Sequence, residues 1–272
     1  MTTTPTPARQ PTWFLSHGGG PWAYMDGPFR QHFDVLEASL QALPGQLPAP
    51  PKAVLMVSGH WETQGGFEVM SSAQPGMVYD YGGFPAHTYS VQYPAPGAPA
   101  LAARVQALVQ GAGLPCALNA TQGFDHGAFV PMAVMYPQAQ VPMAQLSLQW
   151  GEDPALHLAL GRALAPLRDE GVLLIGSGLS FHNLRMFGPE GARPSQQFDA
   201  WLQATMALSG PARSQALLQW AQAPAARQAH PRADHLIPLM VAVGAAEADT
   251  ATCPYHQADF FGGLTVSSFR LG

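Results

Sequence analysis

Residues 53–58, AVLMVS, are apolar on both faces of an extended chain. A strand that must hide both faces needs a sheet neighbour on each side and a covering layer above and below, the condition of a central strand in a helix-covered sheet. Further apolar, strand-like runs fall at residues 12–16, 67–71, 141–148, 172–176 and 264–271. Between them, residues 29–43, 98–111, 128–136, 153–170 and 195–208 carry apolar side chains at helical spacing. In the first of these, Phe29, Phe33, Leu36 and Leu40 share one face, and Pro44 with Gly45 ends it. In the fourth, Asp153 is the expected N-cap ahead of Pro154. Strands separated by helices predict an α/β fold: a central mixed β-sheet flanked by helices, mixed because the last strand follows a long helical stretch. One catalytic domain is expected over residues 12–272, behind a disordered lead over residues 1–11. Ligands in such sheets gather at strand ends.

Charge and cysteine content remove several classes of function. The 12 Lys and Arg are scattered in a chain of net charge -5, so no basic stripe exists to neutralise a nucleic-acid backbone. The longest strongly apolar run, residues 236–246, is too short to cross a bilayer, and the first residues lack the apolar stretch of a signal peptide. Cys116 and Cys253 are far apart, which gives neither a disulfide framework nor a Cys-x-x-Cys knuckle. A cytoplasmic protein with small-molecule partners is expected, with a homo-oligomer left open. Residues 74–99 form a long loop rich in Gly, Pro and Tyr, of the kind that serves as a lid. Residues 215–228 read as a poorly ordered surface stretch.

If this chain binds a metal, histidine must supply the ligands, and there are 10 histidines. His17, His60 and His182 each follow an apolar strand; His126 sits in a glycine-rich loop ahead of a helix, and His235 opens the apolar helix. A single strand-end histidine is usually a hydrogen-bonded structural residue. Five in such settings indicate a shared site. Neutral imidazole suits zinc or iron, and three protein ligands that leave positions open make a catalytic centre. A further histidine beside the metal serves as acid or base near neutrality. Asp125 and Glu62 are nearby carboxylates that either orient an imidazole through its second nitrogen or serve as solvated or capping groups. His32 and His157 read as solvated or core-edge residues, and His87 in the aromatic loop as a candidate substrate contact.

Rival motifs are incomplete. Gly18-Gly19-Gly20 does not extend to a dinucleotide fingerprint, and no phosphate-binding loop with its lysine occurs. Gly176-Ser177-Gly178 is not a nucleophile elbow, because Leu179 stands where the elbow needs glycine.

In order, the chain carries His17-Gly18-Gly19-Gly20-Pro21, Ser58-Gly59-His60-Trp61, Gly82-Gly83-Phe84-Pro85, Tyr93-Pro94-Ala95-Pro96-Gly97, Gly123-Phe124-Asp125-His126-Gly127, Gly176-Ser177-Gly178 with His182-Asn183-Leu184, and His235 before Pro238-Leu239. In these blocks it resembles the class III extradiol ring-cleavage dioxygenases, in their DOPA 4,5-dioxygenase-like branch. The resemblance implies that His17, His60 and His235 bind the metal, that His182 is a further ligand or the acid/base, and that His126 lies over the substrate. It implies iron(II) for activity, with zinc(II) able to occupy the same site, and a catechol and dioxygen as partners. Protocatechuate-cleaving relatives use two histidines and a glutamate, so a three-histidine site is more tolerant of zinc. Under the same resemblance the aromatic loop flanks a flat substrate, with Tyr81, Phe84 and His87 as contacts. Trp22, which with Pro21 fixes the exit of the glycine turn, is a fourth. The alternatives are a zinc hydrolase using the same histidines and a non-catalytic binding protein that kept the fold.

Overall fold

The stretch that is apolar on both faces becomes the first half of β2 (Ala53–Thr63), the fourth of eight strands, enclosed between parallel partners on both sides. A computed structural model describes residues 8–272. Its other strands are β1 (Thr12–Ser16), β3 (Phe67–Met70), β4 (Cys116–Asn119), β5 (Met143–Gln149), β6 (Val172–Gly178), β7 (Ala251–Phe260) and β8 (Leu264–Leu271). They form one 8-stranded sheet in the order β4-β3-β5-β2-β6-β1-β8-β7. β5, β2, β6 and β1 run parallel, whereas β8 pairs antiparallel with β1 and β7. The chain is a single-domain α/β protein with a mixed sheet, as the alternation of patterns predicts.

Helices cover both faces. Ile237–Ala245 packs on β1, β2 and β6 and against the helix Pro154–Leu164, while His126–Met135 packs on β2 and β6. The alternation of side chains along β6 shows that these are opposite faces. A Cβ at Gly176 or Gly178 would meet the carbonyls of Pro238 or His235, whereas Ser177 between them donates to the carbonyl of Gly127. Val54, Leu55, Met56 and Val57 are all buried as a result. Each such side chain contributes roughly 1.5–3 kcal/mol when fully buried.

Asp153 does cap Pro154–Leu164, its side chain accepting from Ala155 N–H. Residues 29–43 are interrupted: Pro28–Gln31 and Asp34–Ala42 are separate helices. Residues 215–228 are ordered rather than loose, since Leu217, Trp220 and Ala226 are buried anchors within short helical segments. The expected disordered lead is pinned from Gln10, whose N–H donates to the Arg168 carbonyl at 3.0 Å; residues 1–7 lie outside the described residues. β4 and β7 are edge strands without a sequence signal: β4 exposes Ala117 and Leu118, and β7 carries Pro254, which an edge tolerates. No helix of the described residues is long and apolar enough to cross a membrane.

Parallel pairing puts the C-terminal ends of β1, β2 and β6 side by side, with Ser16 opposite Gly178 and Ser58 opposite Ser177. Immediately beyond Val57 the register of β2 against β5 shifts and does not resume until Glu62. This irregularity frees Gly59–Trp61 from the ladder at the residue that carries His60, as bulges beside functional sites do.

Candidate active site

His17, His60 and His235 reach one point from three distant parts of the chain. His17 follows β1, with its N–H held by the Gly178 carbonyl at 3.0 Å. His60 lies in the irregular part of β2. His235 lies just ahead of Ile237–Ala245, and its carbonyl accepts from Leu179 N–H at 3.1 Å, which ties that segment to the end of β6. Nε2 of His60 is 3.4 Å from Nε2 of His17 and 3.1 Å from Nε2 of His235. Ligands on one ion at bonds of about 2.0–2.1 Å stand about 3–3.4 Å apart when they subtend roughly 90–110°, so the spacing fits a shared cation.

Charge and tautomer agree with that fit. Burial, and then the proximity of the other imidazoles, holds His17 and His235 well below the usual histidine range. Burial, reinforced by His126, pushes His60 down to about 3. All three are therefore neutral, as ligation requires. Each Nδ1 faces an oxygen: Ser177 Oγ at 3.2 Å from His17, Asp80 Oδ2 at 3.1 Å from His60, and Asp234 Oδ1 at 3.1 Å from His235. Because Ser177 gives its hydroxyl proton to the Gly127 carbonyl, it can only accept from His17. The proton of His17 thus sits on Nδ1, which leaves the Nε2 lone pair facing inward. His235 Nδ1 is buried without a hydrogen-bonded partner, since Asp234 Oδ1 accepts from the His235 backbone N–H instead.

The remaining histidines of the five flank this trio. His182 stacks on His235 with ring centroids 3.4 Å apart, and burial lowers its pKa while Asp234 opposes the shift. The His126 ring lies 3.9 Å from that of His60. Its Nδ1 donates to Asp80 Oδ1 at 2.8 Å, and its backbone N–H donates to the same oxygen. Asp80 and Asp234 were invisible to sequence reasoning. Asp80 resembles a turn residue between two tyrosines, and the only available hint at Asp234 was its adjacency to His235.

Asp125 and Glu62 do not orient imidazoles. Asp125 caps His126–Met135 by accepting from Ala128 N–H, and it also accepts from Ser58 Oγ and Gln145 Nε2. Burial, and then the charge of Asp80, raises its pKa to about 6. Glu62 is occupied by Arg232, which also pairs with Glu152. His157, expected at a helix edge, is fully buried and hydrogen-bonded at both ring nitrogens.

A cavity of about 390 Å³ opens beside the trio, lined by all five histidines, Asp80, Tyr81, Phe84, Gly18 to Gly20 and a set of aromatic side chains. Tyr81 and Phe84 therefore line the cavity beside the histidines. Trp22 and His87 do not. Trp22 is buried, with Nε1–H donating to the His17 carbonyl at 2.7 Å, and His87 Nε2 meets the Tyr24 carbonyl at 3.0 Å on the surface. Gly18 explains this arrangement: at φ +86° it turns the chain back, and a Cβ there would lie 2.3 Å from Trp22 Nε1.

Helix-covered strands that end in converging imidazoles beside an aromatic chamber define an enzyme-like centre. The chain belongs to the family of aromatic ring-opening dioxygenases, matching its catalytic LigB subunit over residues 11–267. It is similar to the 4,5-DOPA dioxygenase extradiol of Beta vulgaris, 38% identical over 96% of each chain. The 4,5-DOPA dioxygenase extradiol of Escherichia coli (strain K12) is 35% identical over 97% of this chain and 95% of its own. A dioxygenase of Hapsidospora irregularis, tasH, is 35% identical over 95% of this chain and 84% of its own. Among solved structures, an uncharacterized protein from Escherichia coli K12 superposes with a TM-score of 0.77 at 32% identity, covering 97% of this chain and 100% of that one.

Proposed function

We propose that this chain opens a catechol ring on its extradiol side with dioxygen, at an iron(II) held by His17, His60 and His235. The convergence of three neutral imidazoles, with Nε2 of His17 and of His235 at 3.4 and 3.1 Å from Nε2 of His60, carries the reading. Iron(II) held there supplies an electron path between an aromatic ring and dioxygen, which redox-inert zinc(II) does not.

The protein's own groups handle orientation and protons. Tyr81 and Phe84, on the chamber wall, flank the flat ring. Tyr81 is itself fixed by its hydroxyl, which donates to the Thr88 carbonyl. His182, neutral because burial lowers its pKa, takes a proton from a catechol hydroxyl at one step and returns it at a later one. His126 has its Nδ1 proton committed to Asp80, so its Nε2 lone pair is the atom offered to a substrate hydroxyl. The surrounding aromatic side chains keep bulk water from the reacting atoms.

The test is to strip the protein with a chelator, reload it anaerobically with iron(II) or zinc(II), and add a catechol and then air. The catechols offered form a panel of substituted rings that includes 3,4-dihydroxyphenylalanine, which the names of the relatives carry. Oxygen uptake with a new visible absorbance in the iron-loaded protein alone upholds the reading. Zinc-supported hydrolysis of an ester or amide without oxygen uptake replaces it with a hydrolase. His17→Ala and His60→Ala are expected to abolish metal binding, read by elemental analysis.

A further inference from the structure

The chamber's lining divides into two sets of opposite chemistry. The five histidines and Asp80 form one set. In the other, Phe84, Phe29, Phe261 and Phe187 make a continuous aromatic wall, with successive ring centroids 5.8, 5.8 and 5.0 Å apart. Leu184 rims the chamber, 71% exposed. No Lys or Arg lines the chamber, and Asp80 is its one carboxylate among the described residues.

Cations exist nearby but are placed elsewhere. Arg185 and Arg232 line an adjoining polar cleft with His182, Asn183 and Asp234. Arg232 is held there by Glu62 and Glu152. A carboxylate on a ring substituent, seated along the phenylalanine wall, would shed its water without gaining a counter-charge from any side chain of the chamber. An alkyl or aryl group in the same place loses nothing to desolvation and gains the burial of its own surface.

We infer that the wall formed by Phe84, Phe29, Phe261 and Phe187 is a subsite for an apolar ring substituent, so that catechols with an uncharged alkyl or aryl tail are preferred over those with an ionised one. This inference rests on reading the histidine centre as the ring-cleaving site. It concerns the tail and not the ring.

Two probes of nearly equal length isolate the charge: 4-butylcatechol and 3-(3,4-dihydroxyphenyl)propanoate. With iron-loaded protein, kcat/KM is expected to favour the butyl compound by at least about tenfold, the scale on which an unpaired buried charge is rejected. Calorimetric binding of both to the metal-loaded protein under anaerobic conditions gives the same comparison without turnover. Tighter binding of butylcatechol with no ring cleavage would retain the subsite and remove the ring-cleaving reading. Leu184→Arg, at an exposed position that the fold tolerates, is expected to narrow the preference by adding a guanidinium at the rim. Equal or better use of the propanoate by the unaltered protein, or a loss of propanoate binding in Arg185→Ala, would overturn the inference.

Discussion

Nδ1 of His126 lies 2.8 Å from Oδ1 of Asp80. The other carboxylate oxygen stands 3.1 Å from Nδ1 of His60, so one side chain orients both a chamber imidazole and a member of the converging trio. Burial works against ionisation of Asp80, yet the hydrogen bonds it accepts from the His126 ring and backbone hold its pKa below the usual carboxylate range. Asp80→Asn preserves size but removes that charge. Metal affinity is expected to fall about 10–100-fold, the usual cost of losing a partner behind a ligand. Competition with a chromogenic chelator measures it, and an unchanged affinity would detach Asp80 from the centre.

Trp22 supports the same centre from behind. Its Nε1–H is the donor to the His17 carbonyl, while its ring stacks on Phe33 at 4.9 Å. Trp22→Phe keeps an aromatic ring there and strands the carbonyl. A loss of about 1–3 kcal/mol in unfolding free energy is expected. KM for a catechol should stay unchanged, because Trp22 does not line the chamber. A raised KM with unaltered stability would return it to the role of substrate contact.

The five histidines were legible because each follows an apolar run or opens a helix in a glycine-rich setting, and parallel strands necessarily deliver their ends to one edge. The residues around them were not. Asp80 meets His126 across 46 positions of sequence, and Ser177 meets His17 across 160, pairings that no local pattern encodes. Ser177 was recognisable only as a failed nucleophile elbow, whereas its function is to fix a tautomer. Asp125 drew notice for its place beside His126, but a residue directly before a helix is first of all a cap, and Asp125 is spent there. The phenylalanine wall was likewise hidden, since Phe29, Phe84, Phe187 and Phe261 come from four separate segments. Among the strands, β7 escaped notice because Pro254 interrupts its pattern, which only an edge position forgives.

Gly127 offers a test of how tightly the centre is packed. A Cβ at this position would lie 2.4 Å from Ser58 Oγ and 2.8 Å from His17 Nδ1. Gly127→Ala must displace His17 or the helix that begins at His126. It is expected to cost about 1–3 kcal/mol in stability and to weaken metal binding as well. Gly111→Ala is the matched control: its Cβ meets nothing within 4 Å, so a gain of about 0.4–1 kcal/mol with normal metal content is expected. Calorimetric unfolding and elemental analysis of the two variants decide the point.

His230 allows a prediction about pH that is separate from the metal centre. It is fully buried between Phe198 and Trp220, with Nε2–H donating to the Ser180 carbonyl at 3.0 Å and Nδ1 unpartnered. Burial lowers its pKa from 6.5 to about 3. Above pH 6.5 neither the folded nor the unfolded chain protonates it, so it adds no pH dependence there. Between that value and about 3 the unfolded chain binds a proton that the folded one refuses, and stability falls by up to about 1.4 kcal/mol per pH unit from this residue. His230→Phe loses the bond to Ser180, about 0.5–1.5 kcal/mol at neutral pH, but removes this share of the acid sensitivity. Urea unfolding of both proteins at neutral pH and at about pH 4.5 should therefore show the stability gap between them closing and then reversing as the pH falls. A gap that stays constant would mean that His230 takes up its proton within the folded protein.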